Sequence, residues 1–203
     1  SKNVWDIDIE STNQSGQEQE VLNKLVNNGF DFLKKAIAEF ENEPKYSIIH
    51  FHASFEIFLK ARLFMEGWQK VIAHNSKNKT WEHLIAGDFK SVEFKDAISS
   101  INQSDQTNKI TPSETEQFKA LATQRNKLVH FYSESPTPEM QGDIFSAEYR
   151  LPQTDVIDGN VKLMLSCWHL LDRLITVKWG DRFQRWNNQV VEIRASLRLI
   201  KDY

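Results

Sequence analysis

Apolar residues recur at spacings of three and four along most of this chain, and this spacing constrains the fold more than any other feature. The clearest case lies between residues 21 and 40, where one side of a helix would collect Leu22, Leu25, Val26, Leu33, Ala36, Ile37 and Phe40. The chain also contains only 7 Gly and 5 Pro, whereas a sheet protein needs many turns and therefore many turn residues. The sequence therefore predicts an all-α fold.

The pattern divides the chain into a tail and one helical domain. Residues 1–18 are polar and have no period, so they are predicted to form an N-terminal tail. Residues 19–203 are predicted to form a single up-and-down bundle of about five to six helices, the last of them a C-terminal extension. Its second helix, over residues 46–68, is apolar on nearly all sides, which is typical of a central helix. The only polar stripe on this helix is formed by His52, Glu56 and Lys60.

Local signals mark where several helices begin and end. Gly87 is expected to break the helical pattern of residues 80–101. Thr111 is the predicted N-cap of the next helix, with Pro112 at its first position and Glu114 completing a capping box. Residues 133–157 have no clean period, so they form either a long functional loop or a loop that contains a strand near residues 144–151.

Composition narrows the class of protein. The net charge is −3, from 25 basic and 28 acidic residues, so a nucleic-acid partner would have to meet a local patch rather than a global field. The single cysteine, Cys167, lies in an apolar stretch and is expected to be buried. No apolar run approaches the roughly 18 residues of a membrane span, and the first residues resemble no targeting peptide. These features predict a soluble, cytoplasmic protein without membrane association.

One helical segment, QRNKLVHFYSE at residues 124–134, carries an unusual set of polar groups. On a helical wheel of about 100° per residue, one flank of its last two turns holds Arg125, Asn126, His130 and Tyr132. Arginine forks onto phosphate oxygens, and histidine exchanges protons near neutral pH. Because RNA supplies its own 2′-hydroxyl nucleophile, these parts suffice for RNA cleavage without metal. The alternative interpretation is that these residues form a structural hydrogen-bond network, or that the cation is stabilised by the negative C-terminal end of the helix dipole.

This segment resembles the Arg-x4-His motif of the HEPN family (higher eukaryote and prokaryote nucleotide-binding). Asn126 matches the polar residue that follows the arginine, and Tyr132 completes the longer Arg-x4-His-x-Tyr form. The earlier segment HASFEIFLKARL resembles a helix of many HEPN domains, with Glu56 and Lys60 at the positions of a recurring Glu and Lys. The resemblance extends over about residues 20–180. It is specific at the motif and loose elsewhere.

The resemblance implies a helical, metal-independent endoribonuclease. Arg125 and His130 would be the catalytic residues, and the supporting residues would be Asn126, Tyr132, Glu56 and Lys60. It implies a homodimer in which the Arg–His pairs of two chains form one composite site on RNA. It further implies a role in a toxin–antitoxin, abortive-infection or antiviral defence system, with an antitoxin or nucleotidyltransferase as partner.

Two alternatives to this function stay open. The first alternative is that the chain is a catalytically silent HEPN module for dimerisation or nucleotide binding. The second is that it is a helical scaffold with a chance motif. Tyr132 is either the residue to which a nucleotidyltransferase adds AMP or a packing residue that orients Arg125 or His130, and the packing role is preferred.

The remaining residues give no signal for other chemistry. No cofactor or metal is predicted, because His50 and His52 face different directions and no Cys/His cluster has zinc spacing. There is no P-loop and no Ser–His–Asp arrangement. Trp168 and Trp186 lie on apolar stripes, which predicts core positions. Basic residues outnumber acidic ones from Arg173 onward, but they form no single stripe, so a solvated face is expected.

Overall fold

The computed structural model describes residues 4–133 and 153–199. Within these ranges the regular structure is helical, apart from an isolated antiparallel bridge between Ile72 and Ser91. The prediction of an all-α fold is therefore confirmed for the part of the chain that is described. The α-helices are α1 (Val4–Glu39), α2 (Pro44–Phe64), α3 (Trp81–Ala86), α4 (Phe94–Ser104), α5 (Pro112–Ser133), α6 (Gln153–Arg173), α7 (Gly180–Phe183) and α8 (Asn187–Leu197).

Three shorter helical segments complete the described elements. Trp68–Val71 and Gln184–Trp186 are 3₁₀ turns. Leu174–Lys178 is a π-helical segment that continues α6, and at its end the N–H of Trp179 donates to the carbonyl of Leu174 at 2.8 Å. No helix in the described ranges is both long enough and apolar enough to cross a membrane.

The chain divides into two compact units. The first comprises residues 1–31 and 54–110, and the second comprises residues 32–53 and 111–203. Helices α1 and α2 therefore contribute residues to both units. The organisation of residues 19–203 as one domain stays a prediction. The strand considered near residues 144–151 falls outside the described residues.

The segment expected to be a tail is helical from Val4 onward. No proline interrupts residues 4–20, and extending an existing helix adds a hydrogen bond for each residue fixed, without a new nucleation cost. A side-chain pair one turn apart supports it, with Gln14 Nε2 donating to Glu18 Oε1 at 3.3 Å. Where the side chains of this segment are described, at residues 14–17, all are exposed, which agrees with the absence of an apolar period there.

The first unit packs α1 against α2 at close range. A Cβ atom on Gly29 would lie 3.2 Å from ring atoms of Phe58, so glycine permits this approach. Ser54 Oγ donates to the Gly29 carbonyl at 2.8 Å, and Phe30 meets Phe58 edge-on with ring centroids 5.0 Å apart. As its apolar sequence predicts, α2 is largely buried, and its buried residues in this unit include Phe55, Phe58, Leu59 and Leu63.

A buried charge cluster lies at the end of α2. Arg62 is fully buried, and its guanidinium donates to Glu66 at 2.5 Å and to Asp105 at 3.4 Å. Burial acts to raise the pKa of Asp105, but hydrogen bonds from Asn108 and the charge of Arg62 outweigh it, so that the pKa lies below its ordinary value. The sequence pattern gave no sign of this cluster, because one arginine in an apolar helix reads as an exposed residue.

In the second unit, α5 begins as the sequence predicts. The Thr111 N–H donates to Glu114 Oε2 at 2.8 Å, and the Glu114 N–H donates to Thr111 Oγ1 at 3.2 Å. This reciprocal pair confirms the capping box.

Gly87, with φ of 72°, ends α3 of the first unit in the left-handed conformation that glycine favours.

The Glu114 carboxylate has a second partner far along the chain. Lys178 Nζ lies 2.6 Å from Glu114 Oε2, and the two side chains are only 12% and 10% exposed. Burial acts to raise the pKa of Glu114, but the hydrogen bond and charge of Lys178 and the hydrogen bonds from Thr111 lower it by a larger amount, so the pKa lies below its ordinary value. The pair joins the start of α5 to the π-helical segment after α6.

The basic residues after residue 172 are partly engaged with acids and rings. Arg194 donates to both carboxylate oxygens of Asp172, at 3.0 and 2.7 Å, and the Arg185 guanidinium lies 5.4 Å from the ring centroid of Trp186. With Lys178 bound to Glu114, the expectation of a solvated basic face holds only for part of this set, which includes the exposed Arg173 and Arg198.

We predict that Glu114→Gln lowers the free energy of unfolding by about 3 kcal/mol at neutral pH, because it removes the negative charge beside the largely buried ammonium of Lys178. Glutamine keeps the capping-box acceptor, so the loss reports the ion pair. The matched control is Glu116→Gln: its carboxylate is 69% exposed and bonded to Lys119, and we expect a change within about 0.5 kcal/mol. Urea denaturation of both variants measures the difference.

The same pair predicts a pH dependence with a defined sign. Because the folded-state pKa of Glu114 lies below its ordinary value of 4.5, its contribution is present above pH 4.5 and is lost as the pH falls through the folded-state pKa. The stability gap between the unmodified protein and Glu114→Gln should therefore narrow in acid. A gap that stayed constant from pH 7 to acid would contradict the buried-pair assignment.

Candidate functional site

The motif lies in the half of α5 that follows its buried residues. Phe118 and Leu121 are fully buried, and the Gln117 carbonyl accepts from the Cys167 thiol of α6 at 3.6 Å. From residue 122 to residue 130, by contrast, every residue is half-buried or exposed. The first half of α5 therefore fixes the helix in the second unit, and the second half presents side chains.

Arg125 continues the buried stripe of α5. It lies four residues after Leu121 and seven after Phe118, so the three side chains leave the helix within about 60° of one another. Arg125 is half-buried where the other two are fully buried. The sequence-based wheel placed Arg125 on one flank with Asn126 and His130. The burial separates them, because Asn126 and His130 are exposed.

A hydrogen bond connects the half-buried Arg125 with the exposed Asn126. Arg125 Nη1 donates to Asn126 Oδ1 at 2.8 Å. Asn126 lies about 100° around the helix from Arg125 and about 40° from His130, which is one turn further on. The bond therefore ties the guanidinium to the residue that lies one turn before His130. The backbone directions of Arg125 and His130 themselves are about 140° apart.

The charge of this helix half suits an anion. Between residues 117 and 133 the sequence has no Asp or Glu, whereas it has Arg125 and Lys127 in addition to His130, and also Lys119, which is paired with Glu116 just before this stretch. A local excess of positive charge raises the concentration of anions nearby. Part of this excess is also what a helix C-terminus favours on its own, because the macrodipole is negative there.

The other predicted site residues lie elsewhere or outside the described side chains. Tyr132 belongs to α5 by its backbone, seven residues after Arg125, and its side chain is not among those described. Glu56 and Lys60 lie on α2 in the first unit, and both are half-buried. Their support of the motif stays a prediction.

Other reactive side chains are engaged in the fold. Cys167 is fully buried, and burial raises the pKa of its thiol to about 12, so it is neutral and no nucleophile at physiological pH. Trp168 and Trp186 are also buried, which confirms their predicted core positions. Among the described residues, no three His, Cys, Asp or Glu side chains are grouped closely enough to hold a metal ion.

Sequence reasoning missed a groove at the start of α5. It has a volume of about 640 Å³ and lies between the first turns of α5 and the last turns of α6. Its polar lining includes Ser113, Gln117, His169 and Arg173. The available signal was the spacing of four between His169 and Arg173, which places both on one face of a helix, but nothing in the sequence linked that face to the start of α5.

Comparisons of this chain with protein-family models, with curated proteins and with solved structures found no match.

Proposed function

We propose that this chain is a metal-independent endoribonuclease of the HEPN type, with Arg125 and His130 as its catalytic residues. The observation that supports it best is the hydrogen bond from Arg125 Nη1 to Asn126 Oδ1 at 2.8 Å, because it ties a phosphate-binding group to the residue one turn before an exposed imidazole. The acid-free second half of α5 adds the electrostatic field that a phosphodiester requires. The resemblance of this same segment to the HEPN motif indicates the reaction that these residues would catalyse.

In the proposed reaction, the Arg125 guanidinium binds the non-bridging oxygens of the scissile phosphate and stabilises the charge that builds on them. His130 takes the proton from the 2′-hydroxyl, whose oxygen then attacks phosphorus. The bond from phosphorus to the 5′-oxygen breaks, and that oxygen leaves with a proton from an imidazolium or from water. The products are a 2′,3′-cyclic phosphate and a 5′-hydroxyl, so no metal and no oxidant enters the balance.

A homodimer is part of the proposal. Arg125 and His130 lie about 7.5 Å apart along the helix axis and about 140° apart around it, so one chain gives a sparse site. A two-fold axis beside α5 would double the groups around one phosphate. Leu128 and Val129, both half-buried beside Arg125, are the apolar side chains that such an interface would bury.

The proposed setting is a toxin–antitoxin, abortive-infection or antiviral defence system, and it follows from the resemblance alone. In that setting the substrate is RNA, and an antitoxin or nucleotidyltransferase restrains the enzyme. Tyr132 follows Arg125 by seven residues on α5. A phosphate added to it would therefore repel RNA from the arginine.

We predict that Arg125→Ala and His130→Ala each reduce cleavage of a structured RNA in EDTA by at least about 100-fold, because each removes a group that stabilises the transition state. The matched control is Lys127→Ala, an exposed cation on the same turn, which should retain most of the activity. The assay follows 2′,3′-cyclic phosphate ends, and urea denaturation should show that all three variants remain folded.

Full cleavage by both motif variants, with contaminating nuclease excluded, would remove the enzyme proposal. A purified protein that binds RNA or dimerises but never cuts it would favour the catalytically silent module instead.

We also predict that Asn126 positions Arg125. Asn126→Ala should lower kcat about tenfold or more with little change in stability, because the guanidinium loses the acceptor that orients it. Asn126→Asp keeps an oxygen at the same place, so its kcat should exceed that of the alanine variant. Its KM should rise, because a carboxylate repels the phosphate. Equal kcat values for the two variants would show that the hydrogen bond has no part in catalysis.

A further inference from the structure

The groove at the start of α5 is the feature outside the motif that offers the most concentrated set of ligand-binding groups. We call it the α5–α6 groove, and its lining is Thr111, Ser113, Glu114 and Gln117 from the start of α5 with Ser166, His169, Leu170 and Arg173 from α6. Its volume of about 640 Å³ is in the range of pockets that hold small molecules or a segment of a larger one.

The charge balance of this groove is positive. The carboxylate of Glu114 is matched by Lys178 at 2.6 Å, and Asp172, beside Arg173 in sequence, is matched by Arg194 at 2.7 Å. The Arg173 guanidinium is exposed and is the charge that remains once these pairs are counted. The N-terminus of α5 itself contributes little to anion binding, because the carboxylate of Glu114 caps it.

The lining selects a type of ligand. It contains no Phe, Tyr or Trp, whereas sites that hold nucleobases by stacking present aromatic rings. It contains the hydroxyl of Ser113, the imidazole of His169 and the fork of Arg173, and also Ser166 and Gln117, whose side chains bond to each other, with Ser166 Oγ donating to Gln117 Oε1 at 3.4 Å. Guanidinium and hydroxyl donors together are the groups that bind phosphate oxygens.

The groove also lies close to the motif along the same helix. Gln117 precedes Arg125 by eight residues, which is about 12 Å along α5. The stretch between them contains Lys119 and no acidic residue. A strand whose phosphate is held by Arg125 therefore meets no repulsive carboxylate from this stretch on its way to the groove.

We propose that the α5–α6 groove binds the sugar-phosphate backbone of RNA at a phosphodiester a few nucleotides from the one that is cut, with Arg173 as the principal contact and His169 beside it. This inference rests on the proposed function for the choice of RNA. The contact positions the strand and reads no base, so it strengthens binding to all sequences alike.

The test measures binding separately from cleavage. In the non-cleaving His130→Ala protein, the affinity for a labelled single-stranded RNA is measured by fluorescence anisotropy over a series of salt concentrations, with and without Arg173→Ala. We expect about tenfold weaker binding, a slope of log affinity against log salt reduced by about one, and the same loss for RNAs of different sequence. The matched control is Arg198→Ala, an exposed arginine outside the groove lining.

The outcomes separate this inference from the proposed function. Selective weakening by Arg173→Ala supports the groove even if the unmodified protein never cuts RNA. Equal effects of Arg173→Ala and Arg198→Ala, or no measurable RNA binding, overturn the groove, and motif-dependent cleavage can still stand. His169→Ala gives a second reading: it should weaken binding less than Arg173→Ala and in the same sequence-independent way.

Discussion

The buried pair between Glu114 and Lys178 holds together the part of the molecule that matters for the site. One carboxylate closes the capping box of α5 with Thr111 and at the same time neutralises an ammonium 64 positions later in the chain. With only about a tenth of either side chain exposed, separating these two charges costs stability. The start of α5 and the segment that follows α6 are therefore fixed to each other, and both walls of the α5–α6 groove depend on that connection.

With its first half fixed in this way, α5 carries a gradient of burial along one stripe. Phe118 and Leu121 are in the core, and Arg125 occupies the next position of the same stripe at half burial. A guanidinium at this boundary is partly desolvated, which strengthens its interactions with an anion without the full cost of burying a charge. The exposed Asn126 and His130 then supply the acceptor and the imidazole on the solvent side. The geometry is that of a cation held at the edge of a core and aimed outward.

Much of this arrangement could be read from the sequence because it is local. The spacing of three and four predicts the helices, the Thr111–Pro112–Glu114 signature predicts the start of α5, and Gly87 predicts the end of α3, since each depends on residues within one or two turns. The pairs that could not be predicted join distant residues, such as Arg62 with Asp105 and Glu114 with Lys178. The helical state of residues 4–18 was not predicted for a different reason, because apolar periodicity detects a buried helix face and this stretch of the sequence has none. At the site, the wheel gave the neighbours of Arg125 but not the difference in burial between them.

The π-helical segment Leu174–Lys178 has a consequence for the direction of the last cation of this helix. In an unbroken α-helix Lys178, five residues after Arg173, would leave the helix about 140° away from it. The π turn, closed by the bond from the Trp179 N–H to the Leu174 carbonyl, takes up one extra residue and so turns Lys178 back by about 100°. Arg173 at the groove and Lys178 on Glu114 therefore both lie on the side of the helix that faces α5. Regularising this turn to an α-helix of the same length would rotate Lys178 away from the carboxylate that binds it.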